Sequence, residues 1–285
     1  MKRILLTLTV LVTIQLAADQ EGLALAAFDL VQQGTPACSI VIAERATPAA
    51  RLAALELQYH VMKISGAGIP IRTDSERVEG SRILVGESPA TRRFGLRSGD
   101  FKPQEYLIAF RQDTIILMGR DWEDTEANRK AQGRSTTDET LQQLRHKIDY
   151  WKTVGCPDRS VGEMELPGVY DDQGTCLAAY DFLERFCGVR WYGPSEVSIV
   201  IPSRTTLAAA GDDVRRSPAL KHRSALSGGS WPFLRGQWGN FTREQVCLYW
   251  RRIRQGGERW AGNHSTMGYW SVQTNVCRDK RETSD

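Results

Sequence analysis

Apolar residues recur at helical spacing in some stretches of this chain and cluster in short β-branched runs in others. Leu52, Leu55, Tyr59 and Met62 mark one helical stripe, with Thr47 as its N-cap, Pro48 at the first helical position and a stop near Ser65-Gly66. Leu177, Ala178, Phe182, Leu183 and Phe186 mark another, opened by Gly174 and Thr175, with Thr175 as the expected N-cap. Gly188 stands just past it, where a left-handed residue closes a helix. Ser39 to Ala43, Ile69 to Arg72 and Arg82 to Val85 read as strands. Tyr106 to Phe110 and Thr114 to Met118 read as a hairpin turning through Arg111-Gln112-Asp113. Val189 to Tyr192 and Val197 to Ile201 are two further strands, parted by Gly193-Pro194.

Strand, helix, several strands, then helix and strand is the order of an α/β fold: an α+β sandwich with a mixed sheet and helices on one face. Residues 120–173 interrupt the order. They are charged and lack apolar periodicity until Leu141 to Trp151, which reads as an amphipathic helix, and a loop this long is functional or an insertion. From residue 217 the pattern changes. Leu220 to Leu226 reads as a strand opening into Ser227-Gly228-Gly229-Ser230, and Arg243 to Gln255 as a helix ended by Gly256-Gly257. Strand, loop, helix is how a βα barrel begins, with its chemistry in the loops that follow the strands. A full (β/α)₈ barrel needs at least about 200 residues, so residues 217–270 are expected to be a truncated barrel start and 271–285 a disordered tail.

The amino terminus bears on compartment. Lys2 and Arg3 precede the apolar run Ile4 to Leu16, and Ala24-Leu25-Ala26 offers a small-x-small cleavage site, so residues 1–26 read as a signal peptide and the protein as secreted or periplasmic. The apolar run is shorter than the roughly 20 residues that span a bilayer, so no membrane association is expected beyond that segment. A net charge of +3 with no dense Lys/Arg run excludes the electrostatic footprint of a nucleic-acid binder. The six cysteines are dispersed; Cys176 and Cys187, eleven residues apart on one expected helix, cannot bridge. No Cys/His cluster suggests zinc, and Ser65-Gly66-Ala67-Gly68 ends a helix where a dinucleotide loop would begin one, so no metal or cofactor is expected. Asp171-Asp172 and Asp212-Asp213 read as solvated turn residues.

Three segments, SIVIAERATPAARLAALELQYHVMKISGAGIPI, GTCLAAYDFLERFCGVRWYGP and YWRRIRQGGERWAGNHS, together resemble the front end of secreted bacterial proteins related to the α-glucuronidases. The resemblance covers about residues 38–270 and is weakest over 120–173. It implies an α-glucuronidase-type N-terminal α/β domain over 38–210, beside a glycosidase-like barrel that handles carbohydrate. Inverting glycosidases need two carboxyl groups about 6.5–9.5 Å apart, and no residue of this sequence can be placed in either role. The chain is therefore expected to be an N-terminal fragment of a glycoside hydrolase acting on polysaccharide, inactive by itself. The alternative is a non-catalytic carbohydrate-binding or scaffolding protein.

Candidate substrate-binding residues lie in the barrel-like part. Asn263 and His264 fall at an expected strand end, where they would hydrogen-bond sugar hydroxyls. Arg223 could hold a uronic carboxylate through its planar fork, or form an ordinary salt bridge with a neighbouring acid. Trp231, Trp238, Trp260 and Trp270 are dense enough to supply stacking platforms or rim packing. Residues 27–210 are expected to fold cooperatively alone, and 27–285 to behave less well because an open barrel piece exposes apolar faces.

Overall fold

The computed structural model describes residues 27–123, 126–131, 146–223 and 241–257. In chain order its principal elements are β1 (Phe28–Gln32), β2 (Cys38–Ile42), α1 (Pro48–Ser65), β3 (Ile71–Thr73), β4 (Ser81–Val85), β5 (Tyr106–Arg111), β6 (Thr114–Gly119), α2 (Gly174–Arg185), β7 (Leu207–Ala209), β8 (Val214–Arg216) and α3 (Arg243–Arg252). Six strands form one mixed sheet in the order β8-β5-β6-β4-β2-β3. β3, β2, β4 and β6 run parallel, while β5 and β8 pair antiparallel at one side.

Register divides the apolar residues between two cores. Ile40 lies opposite Ile71 and Ile83, Ile83 opposite Ile115, and Ile115 opposite Phe110, all on the face covered by α1 and α2. Val41, Leu84, Ile116 and Ala109 share a row on the other face, where Phe101, Val78, Leu96 and Ala90 of the one-turn helix Pro89–Arg92 make a smaller core. The expected sheet with its long helices on one face is thus observed. β6 is buried along its whole length, which explains the unbroken apolar run Ile115 to Met118.

α1 forms as its sequence signals require. The Thr47 hydroxyl accepts from the Ala50 amide, Pro48 fills the first turn, and Gly66 ends the helix in the left-handed region at φ 78°. α2 differs at its start. Gln173 holds the N-cap position without a side-chain bond, and Thr175 lies inside the helix with its amide donating to Asp121. The helix begins in contact with the end of β6, its Gly174 amide donating to the Arg120 carbonyl at 2.8 Å. A Cβ on Gly119 would stand 2.3 Å from the Glu105 carbonyl oxygen and 2.8 Å from the Gly174 Cα, so two glycines permit this approach.

Other differences have local causes. β1, which the sequence reading passes over, pairs antiparallel with β7 across the length of the domain. Of the helix expected over Leu141 to Trp151, the described part is a strand, Lys147–Asp149, followed by the single turn Tyr150–Thr153, because the Asp149 side chain caps the Lys152 amide and starts a new helix there. Asp171 is buried, not solvated, and accepts from the Gly168 amide; Asp172 pairs with Arg120, and Asp213 with Arg111. Cys38, Cys156, Cys176, Cys187 and Cys247 are free thiols, and Cys277 lies outside the described residues.

The largest departure concerns the region after residue 217. His222–Arg223 pairs with Gly256–Gly257 in the antiparallel sense, whereas successive strands of a βα barrel pair in parallel. No closed barrel is present among the described residues. α3 has a capping box of Thr242 and Gln245, and its Val246, Cys247, Leu248 and Trp250 are buried in the same core as α1 and α2. It is a part of the α/β unit, so residues 27–210 lack one of its layers. The leader-like residues 1–26 and the tail 271–285 lie outside the described residues. Among the described residues no helix is long and apolar enough to cross a membrane.

Candidate functional site

In the parallel part of the sheet the chain goes from β2 through α1 to β3 on one side, then returns to β4 on the other. Such a reversal opens a crevice outside the carboxyl ends of the strands, the usual ligand position of open α/β sheets. The residues leaving β2, β4 and β6 there include Thr47, Gly86 and Asp121. The amino ends of α1 and α2 both point at Asp121. Its Oδ2 accepts from the Thr47 hydroxyl at 2.9 Å and its Oδ1 from the Thr175 amide at 2.9 Å. The Asp121 amide in turn donates to the Ser98 hydroxyl at 3.0 Å.

Burial raises the Asp121 carboxyl to about 6, against the opposing pull of the Thr175 and Thr47 donors. The Thr175 hydroxyl faces the same carboxyl but lies outside hydrogen-bond geometry, and it is buried with no partner. Gly86 lies close by in the left-handed region at φ 75°; a Cβ there would meet the Ala50 Cβ at 2.7 Å. A half-buried carboxyl titrating near neutrality between two helix amino ends can accept protons or hydroxyl donors.

A second polar cluster lies within the main core. Glu56 of α1 is fully buried and takes both prongs of Arg252 from α3, Nε to Oε2 at 2.8 Å and Nη2 to Oε1 at 2.9 Å. The Tyr150 hydroxyl donates to Glu56 Oε1 at 2.7 Å. Burial alone would raise the Glu56 carboxyl, but Arg252, His60 and Tyr150 together hold it below its usual range. One turn on, His60 receives the Trp191 indole N–H at Nε2, 3.0 Å away, so its proton is on Nδ1, directed at the Glu56 carbonyl oxygen at 2.7 Å. Burial pushes His60 down to about 4, so the ring is neutral. With no solvent path and every lone pair directed, this cluster is architectural. Glu56 and His60 were legible as an acid and a histidine four residues apart inside an apolar helix, but nothing local names their partners.

Arg223 lies on the strand His222–Arg223. Its Nε donates to the Arg254 carbonyl, Nη1 to the Leu220 carbonyl and Nη2 to the Gln104 side-chain oxygen, at 2.8, 2.9 and 2.9 Å. These partners are carbonyl and amide oxygens rather than the neighbouring acid that a salt bridge would need. Asn263, His264 and the four tryptophans Trp231, Trp238, Trp260 and Trp270 lie outside the described residues. No group of three or more His, Cys, Asp or Glu side chains among the described residues could hold a metal ion.

No protein-family model matches the chain, and no curated protein matches it. Among solved structures it is similar to a GH115 4-O-methyl-α-glucuronidase with specificity for decorated arabinogalactans, at 14% identity and a TM-score of 0.46, covering 80% of this chain and 25% of that one. It is also similar to the GH20 β-N-acetylhexosaminidase of Streptomyces coelicolor A3(2), at 12% identity and a TM-score of 0.34, covering 70% of this chain and 25% of that one. A mutant β-hexosaminidase of Streptomyces plicatus gives 10% identity and a TM-score of 0.34, with 70% and 24% covered. The chain thus spans about a quarter of the length of these structures.

Proposed function

We propose that this chain is the front portion of an exported carbohydrate-active protein, a glycoside hydrolase related to the α-glucuronidases, in which the α/β unit is a non-catalytic module beside the catalytic domain. One observation carries the reading. The three segments that resemble that family come together in a single buried cluster: the first supplies Glu56 and His60, the second Trp191, and the third Arg252. A resemblance spread over three distant segments thereby corresponds to one physical unit. In this reading Lys2-Arg3 and Ile4 to Leu16 direct export, the substrate is a polysaccharide, and Asn263, His264 and Arg223 serve the sugar site of the following domain.

The test is retention of the purified protein on immobilised xylan and arabinogalactan, with the eluate assayed for released sugar, together with the intact mass of the product recovered from its host. Retention, and a native mass well above the 32.0 kDa of this chain, support the hydrolase reading. Retention at about that mass without sugar release moves the assignment to a binding or scaffolding protein. Absence of retention on any polysaccharide sinks both.

A further inference from the structure

We infer that the crevice at the carboxyl ends of β2, β4 and β6 is a sugar-binding subsite, in which Asp121 and Thr175 hydrogen-bond two adjacent hydroxyls of one sugar unit. The inference rests on the carbohydrate reading above and assigns it a place within the α/β unit, apart from Asn263, His264 and Arg223.

Three independent features of the crevice support it. The first is topological: the strand order reverses between β2 and β4, and the groups that meet outside their ends come from three separate loops and the start of α2. The second is the arrangement of Asp121. Each carboxylate oxygen accepts one bond from the protein, Oδ1 from the Thr175 amide and Oδ2 from the Thr47 hydroxyl. A carboxylate has about four acceptor positions, so each oxygen keeps one, and the side chain is only half-buried. Adjacent ring hydroxyls present two donors at a spacing that a carboxylate can bridge. The third is the Thr175 hydroxyl, which is buried, faces this carboxyl and has no partner. A buried polar group left unpaired is unfavourable by about 1–3 kcal/mol, and a ligand hydroxyl beside Asp121 would satisfy it.

The two helix amino ends explain why the ligand is a neutral polyol rather than an anion. The positive ends of α1 and α2 are already met by the Asp121 carboxylate. A second anion would face that charge directly, whereas a hydroxyl donor is attracted to it. Bound hydroxyls favour the ionised carboxylate, so occupancy should draw the Asp121 titration below its resting midpoint.

The experiment follows the Asp121 carboxyl carbon by NMR in the full chain, as a function of pH, with and without xylose, galactose, arabinose and glucuronic acid. Affinities for the same sugars are measured on wild type, Asp121→Asn and Thr175→Val. Expected are a midpoint near 6 that falls when one of these sugars is present, and affinity reduced about tenfold in either variant, the scale of one charge-assisted hydrogen bond. Thr175→Val removes only an unpartnered hydroxyl and keeps the side-chain shape, so it decides the matter if Asp121→Asn fails to fold. Sugar binding that leaves the Asp121 resonance unmoved and is equally tight in Thr175→Val overturns this subsite while the carbohydrate reading stands. Absence of binding to any sugar or polysaccharide overturns both.

Discussion

Arg252 closes on Glu56 from 196 residues away, and both side chains are almost fully withdrawn from water. Two charges in such a place attract each other strongly, but their desolvation offsets most of the gain. The pair therefore contributes less to net stability than to specifying where α3 sits. Its energetic signature is asymmetric, because removing one partner leaves the other buried and uncompensated.

From that asymmetry, Arg252→Met is expected to destabilise the protein by about 3–5 kcal/mol in urea unfolding. The double replacement of Arg252 by Met and Glu56 by Leu should recover most of that loss. A double variant as unstable as the single one would mean that the Tyr150 bond, not the ion pair, holds this part of the core.

Shortening the chain to residues 27–216 removes Val246, Leu248, Trp250 and Arg252 together. The expected outcome is loss of a single cooperative unfolding transition, which residues 27–257 should retain. Matching, sharp transitions by circular dichroism for both lengths would show that α3 packs on a finished domain.

His60 sets a pH dependence. Its ring titrates near 6.5 in the unfolded chain and near 4 when folded, so the unfolded state takes up the proton first. Its contribution to stability is full above pH 6.5 and declines as pH falls toward 4, by about 1.4 kcal/mol per pH unit. Asp121 acts in the opposite sense, since its raised folded value near 6 favours the folded state as pH drops. Comparison with His60→Asn isolates the histidine: the stability difference between wild type and variant should shift by about 3 kcal/mol between pH 7 and 4. A constant difference across that range would show that the ring does not stay neutral inside the fold.

Gly119→Ala should lower stability by about 3 kcal/mol or more, since its Cβ would press on backbone atoms of Glu105 and Gly174 that cannot rotate away. Gly99→Ala, with open space around it, should stay within about 0.5 kcal/mol of wild type. Thermal melts of the two variants check this, and equal effects would disprove the close contact between β6 and α2.

What could be read in advance depended on how local the cause was. Thr47 and Pro48 act within the first turn of α1, and the hairpin of β5 and β6 closes through adjacent residues, so both were visible as short patterns. The mixed sheet followed from the order of its strands. α2 was found, but its cap was not, because the oxygen that receives the Thr175 amide belongs to Asp121, 54 residues earlier. β1 was missed because its five residues gain a partner only at Leu207–Ala209. The same reason hid the crevice: Thr47, Asp121 and Thr175 carry no shared spacing, and meet only because three strands end together. α3 looked like the helix of a second domain because its own pattern reports that it is amphipathic, without saying which surface receives it.

The long reach of Arg252 also orders events during synthesis. A ribosome delivers α1 early, yet Glu56 has no countercharge until about two hundred further residues have emerged. Until then the groove that receives Trp250 stays open, and the nascent chain holds a partly formed sheet with an unfilled side. Completion of the fold is thereby tied to arrival of a segment near the end of the described chain, so the unit matures late and as a whole.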